Sequence, residues 1–194
     1  MSQVVFITPN IEGRYSDAAL GTLQLATILG RAGIDCEILP FFRCGELKNL
    51  NTFLDGAINA LAEKSPRIVS FYTRCDTYHI TLKLAQRIKA RWPEIYTVLG
   101  GPQSDITAKE TLEQIPYIDY ICCGEGENTI VPLFSSLLNN APDTSVDGLV
   151  YRENGAVKVN PRPALLQDLD SLPMLDFSYL QLKGSADTKK EVAF

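Results

Sequence analysis

Gly124-Glu125-Gly126-Glu127 sets two carboxylates among two glycines just ahead of the apolar stretch ENTIVPLFSSLLNN. Bare backbone N–H groups at a helix start attract anions, so the spacing resembles a phosphate cradle. Glu125 and Glu127 would repel phosphate, however, and are better read as first-turn charges favoured by the helix dipole. A second loop runs TVLGGPQSD from Thr97 to Asp105. Its Gly100-Gly101 pair leaves backbone without Cβ where a strand ends: either something bulky lies against it, or Gly101 adopts a positive φ that a branched residue resists. In TRCDTYH, Arg74 is either a ligand contact or the ion-pair partner of Asp76. The loop PNIEGRYSD, with Asn10, Gly13, Arg14 and Tyr15, is long for a βα connection of ~2 to 6 residues, which suits a large ligand. Tyr15 and Tyr72 either cover a flat ligand or simply pack.

Several chemistries are absent. Neither GxGxxG nor GxxxxGK[ST] occurs, which removes two common routes to nucleotide binding. His79 is the sole histidine, so a His-based triad has no support; it is either a surface side chain or a ligand. Cys36, Cys44, Cys75, Cys122 and Cys123 are odd in number and lack CxxC spacing, which argues against a zinc site and against a disulfide framework. Cys36, Cys122 and Cys123 fall in strand-like runs, where a small buried hydrophobe is expected. No catalytic residue and no metal ligand is assigned.

The elements that must hold these loops alternate. Apolar runs of strand length, Val4–Thr8, Cys36–Pro40, Ile68–Tyr72, Thr97–Leu99 and Tyr120–Cys122, are separated by amphipathic helical stretches. Ser16 or Asp17 can open the first helix, Gly33 closes it, and Pro93 stops the third. Five strands alternating with five helices predict an α/β, flavodoxin-like (Rossmann-like), doubly wound five-stranded parallel sheet of order 2-1-3-4-5, covering residues 1–141. Ligands of such sheets bind beyond the carboxyl ends of the strands, where the loops above lie. From residue 142 to 194 the chain reads as a C-terminal β-hairpin appendage and linker. There Gly148 to Arg152 pairs with Ala156 to Asn160 across Glu153-Asn154-Gly155, extending the sheet or bridging to a further domain.

Composition bounds the partners. The 194 residues are 45% hydrophobic and 21% charged, as in a globular protein with one core and a tail. A net charge of -5 without a Lys/Arg cluster argues against a nucleic-acid surface. No run approaches the ~18 apolar residues of a membrane helix, and MSQVVFITPN is not a signal peptide. A cytoplasmic location, with neither nucleic acid nor membrane as partner, is therefore expected.

Taken in order, YSDAALGTLQLATILGRAGIDCEIL, IVSFYTRCDTYHITLKLAQRIK, TVLGGPQSDITAKETLE, YIDYICCGEGENTIVPLF and DGLVYRENGAVKVNPRPALLQDLDSLPMLDFSYL resemble the N-terminal cobalamin-binding domain of B12-dependent radical SAM enzymes. The resemblance implies a corrinoid cofactor whose ring or nucleotide tail approaches Gly100, Gly101, Pro102 and Gln103. By the same resemblance, Ser70, Tyr72, Thr73, Arg74 and Cys75 lie near it, with Asn10, Gly13, Arg14 and Tyr15 from the first loop and Gly124, Glu125, Gly126 and Glu127 from the last. On this reading Gly101→Val removes corrinoid binding more than stability. The DxHxxG motif that supplies an axial histidine in methionine-synthase-like relatives has no counterpart in PNIEGRYSDAALG, which implies binding without a histidine ligand. The CxxxCxxC motif for a [4Fe-4S] cluster and S-adenosylmethionine is also missing, so the chain reads as one part of a parent radical SAM enzyme, a methyltransferase or relative. Two other readings stay open: a flavodoxin-like domain for a flavin or nucleotide, and a structural domain that has lost its ligand.

Overall fold

The computed structural model describes residues 2–8, 18–41 and 49–180. The continuous apolar runs form parallel strands: β1 (Val4–Thr8), β2 (Cys36–Pro40), β3 (Ile68–Tyr72), β4 (Tyr96–Gly100) and β5 (Tyr120–Cys122). Between them lie α1 (Ala18–Arg31), α2 (Leu50–Lys64), α3 (Tyr78–Arg91) and the short pair α4 (Pro102–Ile106) and α5 (Ala108–Gln114), and after β5 comes α6 (Ile130–Leu138). One expected helix between β4 and β5 is thus two, broken at Thr107. The expected Ser16 or Asp17 start of α1 lies outside the described residues, whereas its end, with Ile34 N–H donating to the Leu29 carbonyl past Gly33, is as expected.

With β6 (Leu149–Glu153) and β7 (Ala156–Val159), the strand order is β2-β1-β3-β4-β5-β6-β7, in which the first five reproduce the expected 2-1-3-4-5. β6 and β7 extend the sheet to seven strands, the first of the two roles expected of the hairpin. The hairpin turns at Asn154-Gly155, both with positive φ (52° and 80°), as a two-residue turn matching strand twist requires. β6 pairs antiparallel with the three-residue β5, which would otherwise be an open edge.

Strand alternation divides the core into two layers. Val5, Ile7, Val69, Phe71, Leu99 and Ile121 face α2, α3 and α5, while Val4, Phe6, Ile68 and Val98 face α1 and α6. None of the described helices is long and apolar enough to cross a membrane.

Arg152 of β6 holds the end of α5 against the sheet. Its guanidinium donates to the carbonyls of Leu112 (3.0 and 2.6 Å) and Ile115 (2.6 Å) at the end of α5, where carbonyls lack intrahelical partners, and of Ile118 (2.6 Å) in the segment that follows. Partial burial pushes its pKa down and nearby Asp119 opposes that shift. Arg152→Met, which keeps the apolar stem, is expected to lower unfolding stability by about 2 kcal/mol through the bonds lost at the Leu112 and Ile118 carbonyls, the Ile115 carbonyl keeping the Ile118 N–H. A urea midpoint equal to that of the native chain would show that water replaces the guanidinium.

Candidate functional site

β4 carries the glycine pair to the carboxyl edge of the sheet, where its two members do different things. Gly100 closes the strand opposite Tyr72 of β3, and its carbonyl accepts the Thr73 N–H (2.8 Å) and the Thr73 hydroxyl (2.9 Å). Gly101 then turns the chain with φ 100° and ψ 171°, a region that essentially only glycine occupies. A Cβ on Gly101 would stand 2.9 Å from both the N and the O of Thr73 and 3.2 Å from the Tyr72 ring. One on Gly100 would meet nothing within 4 Å.

The space beyond Gly100 is a slot of about 290 Å³ between the sheet and the α1–α6 layer. At its mouth lie Tyr72, Gly100, Gly101 and the Gly124–Glu127 loop, with Gly21 of α1 opposite. Further in, the neighbours Phe6, Ser70 and Val98 form the floor, covered by Leu25 of α1 and by Ile130 and Phe134 of α6. Phe6 and Phe134 stack with ring centroids 6.2 Å apart. Cys122 completes the floor beside Gly100, and burial pushes its thiol up to about 12, so it faces the slot protonated. A group of three or more His, Cys, Asp or Glu side chains arranged to hold a metal ion does not occur among the described residues.

The Gly124–Glu127 loop is braced from outside the sheet. Thr129, buried at its end, donates to the Asp147 carbonyl at 3.2 Å, and the N–H groups of Thr129 and Ile130 return to the Gly126 carbonyl. After β7 the chain passes over this edge: Pro163 packs where a Gly124 or Gly148 side chain would be, and the Leu166 N–H donates to Glu125 Oε2 at 2.7 Å. Arg162 pairs with Asp105 of α4 at 2.9 and 3.2 Å. The chain then runs down α1, where Asp176 N–H donates to Thr27 and the Tyr179 hydroxyl sits in the space left by Gly30. Tyr179 also reaches the buried Cys36, and burial pushes both groups up to about 12.

Of the residues singled out in the sequence, Ser70, Tyr72, Gly100, Gly101, Gly124, Glu125, Gly126 and Glu127 line one slot. Thr73 is fully buried and spends its hydroxyl between loops, donating to Gly100 and accepting the Ser104 N–H at 3.0 Å. Gln103 supports the same joint through its N–H to the Thr73 carbonyl at 3.4 Å, and Pro102 is exposed at the start of α4. Arg74 pairs with Asp76 at 3.0 Å on the surface, the ion-pair alternative read from the sequence, and Cys75 beside it is exposed. Asn10, Gly13, Arg14 and Tyr15 lie outside the described residues. His79 is exposed on α3, across the sheet from the slot. Phe6, Gly21, Thr22, Leu25, Ile130 and Phe134 were not singled out, and Cys122 read only as a small buried hydrophobe; as apolar or small residues in regular elements they are indistinguishable from core by pattern alone.

Comparison with known proteins bears on the fold and the family. An uncharacterized methyltransferase of Pyrococcus horikoshii is 33% identical over 113 residues, covering 58% of this chain and 24% of that protein. The cobalamin-dependent radical SAM methyltransferase TokK of Streptomyces tokunonensis is 32% identical over 124 residues, covering 62% and 18%. The radical S-adenosylmethionine methyltransferase TsrM of Kitasatospora setae, solved with cobalamin and a [4Fe-4S] cluster bound, shares the fold at a TM-score of 0.67 with 18% identity, over 89% of this chain and 31% of that one. The chain thus spans less than a third of each of these proteins. The sequence model of the B12 binding domain matches residues 10–134, more than half the chain, from ahead of α1 into α6, and the protein therefore belongs to the B12 binding domain family.

Proposed function

We propose that this chain is the corrinoid-holding part of a longer cobalamin-dependent radical SAM enzyme of the methyltransferase kind, with residues 142–194 leading toward the radical SAM part. The observation that carries the reading is the slot beside Gly100, at the carboxyl edge where an α/β sheet takes its ligand, in a chain of this family. When bound, cobalamin supplies a cobalt centre suited to group transfer, while S-adenosylmethionine and a [4Fe-4S] cluster belong to the rest of the parent enzyme. The chain's own part is to orient and shield: Tyr72 and the Gly124–Glu127 loop would border the corrin side, the apolar interior would exclude water from the nucleotide tail, and Thr73 ties the segment after β3 to the Gly100-Gly101 turn and the start of α4. The family match favours a corrinoid over a flavin or nucleotide.

The test is to incubate the chain with hydroxocobalamin, separate it by gel filtration and record the visible spectrum, alongside flavin as a control. A corrinoid spectrum in the protein peak is expected; a flavin spectrum and no corrinoid would overturn the reading. The cobalt should also lack a histidine ligand, because His79 lies on the far side of the sheet. In the Co(II) state, electron paramagnetic resonance should therefore be the same for the native chain and His79→Ala. Nitrogen splitting that disappears in His79→Ala would show histidine ligation.

A further inference from the structure

We propose that the inner end of the slot selects the lower base of the nucleotide tail, admitting a benzimidazole and disfavouring a purine; this rests on the corrinoid reading above. The slot is graded along its length. Its charged and backbone polar groups, Glu125, Glu127 and the exposed glycine backbone, stand at the mouth. Two residues further back along the strands the floor is Phe6, Ser70 and Val98, and the cover is Leu25 and Phe134. Among the described residues the inner end therefore offers no amide and no carboxylate, only two hydroxyls. That of Thr22 sits on a helix, where the carbonyl one turn back is an alternative acceptor. Ser70, 8% exposed on a strand between two apolar neighbours, has no such local partner and lines the slot.

Those groups match one base class. A dimethylbenzimidazole released from cobalt presents one acceptor nitrogen, which the Ser70 hydroxyl can satisfy, and an apolar methyl-bearing edge suited to Phe6, Val98 and Phe134. Adenine in the same place brings an exocyclic amine and several ring nitrogens, more polar atoms than two hydroxyls can pair. Each polar group buried without a partner is penalised, by about tenfold or more in affinity. The selectivity comes from what the slot leaves unpaired, since both bases are planar, bicyclic and similar in size.

The experiment titrates the unmodified chain, by visible absorbance, with three corrinoids: cobalamin, its adeninyl counterpart, and cobinamide, which has no tail. Cobalamin should bind at least about tenfold more tightly than the adeninyl form, and cobinamide more weakly than cobalamin. Ser70→Ala should weaken cobalamin several-fold and leave cobinamide unchanged, a difference that a purely structural role for Ser70 would not produce. Equal affinity for cobalamin and the adeninyl form, or for cobalamin and cobinamide, overturns base selection while leaving corrinoid binding in place. Failure of all three to bind overturns the corrinoid reading and this inference with it.

Discussion

Gly101→Val is expected to lower unfolding stability by about 3 kcal/mol, a large part of the 5–15 kcal/mol that holds a domain folded. Two independent effects act at one residue. The backbone at φ 100° and ψ 171° strains any L side chain, and the new Cβ would press on the Thr73 amide and carbonyl at 2.9 Å, where backbone rather than a mobile side chain must move. Moving Thr73 also breaks its paired hydrogen bonds to the Gly100 carbonyl and its acceptance of the Ser104 N–H. The expectation from the sequence was the opposite, that corrinoid binding would suffer more than stability. It changes because the space a Gly101 side chain would take belongs to the neighbouring loop. Urea denaturation of the unliganded variant is the measurement; a midpoint near that of the native chain would return the ligand-facing role to Gly101.

Gly100→Val should behave the other way, weakening cobalamin binding by about 100-fold with stability within about 1 kcal/mol of the native chain. Its φ is not in the left-handed region, valine suits the end of a strand, and the added Cβ enters open space. That space is the slot, at the step between its mouth and the Phe6–Ser70–Val98 floor, so two methyl groups there stand in the path of a planar tail. Spectroscopic titration beside a thermal melt separates the effects. Retained affinity in a folded variant would mean that the tail does not enter here, and cobinamide, lacking a tail, should be indifferent to the substitution.

Local pattern determined much of this protein. Four of the five apolar runs became parallel strands buried on both faces and β5 one buried on a single face, and the Asn154-Gly155 pair produced its hairpin because only a few residue types accept positive φ in succession. The loops that border the slot were also legible, since glycines, hydroxyls and charges at strand ends depart from what packing alone requires. Other features depended on which residues meet across space. Nothing in GG says which glycine looks into a cavity and which braces a neighbour; the pairing of Gly100 with Tyr72 and the approach of Thr73 to Gly101 decide that. Thr73 read as a ligand hydroxyl until its partners in the next loop were known. The hairpin read as extending the sheet or bridging to a further domain, and only the fold shows that it does the first, at the open edge of β5 more than twenty residues earlier. The slot's apolar lining on α1 and α6 is core by every sequence measure, because a wall that greets a flat apolar group obeys the same chemistry as a wall that packs against another helix. Residue type and period set the elements and the edge where the site lies, whereas strand register and loop-to-loop hydrogen bonding decided its shape and the division of work between Gly100 and Gly101.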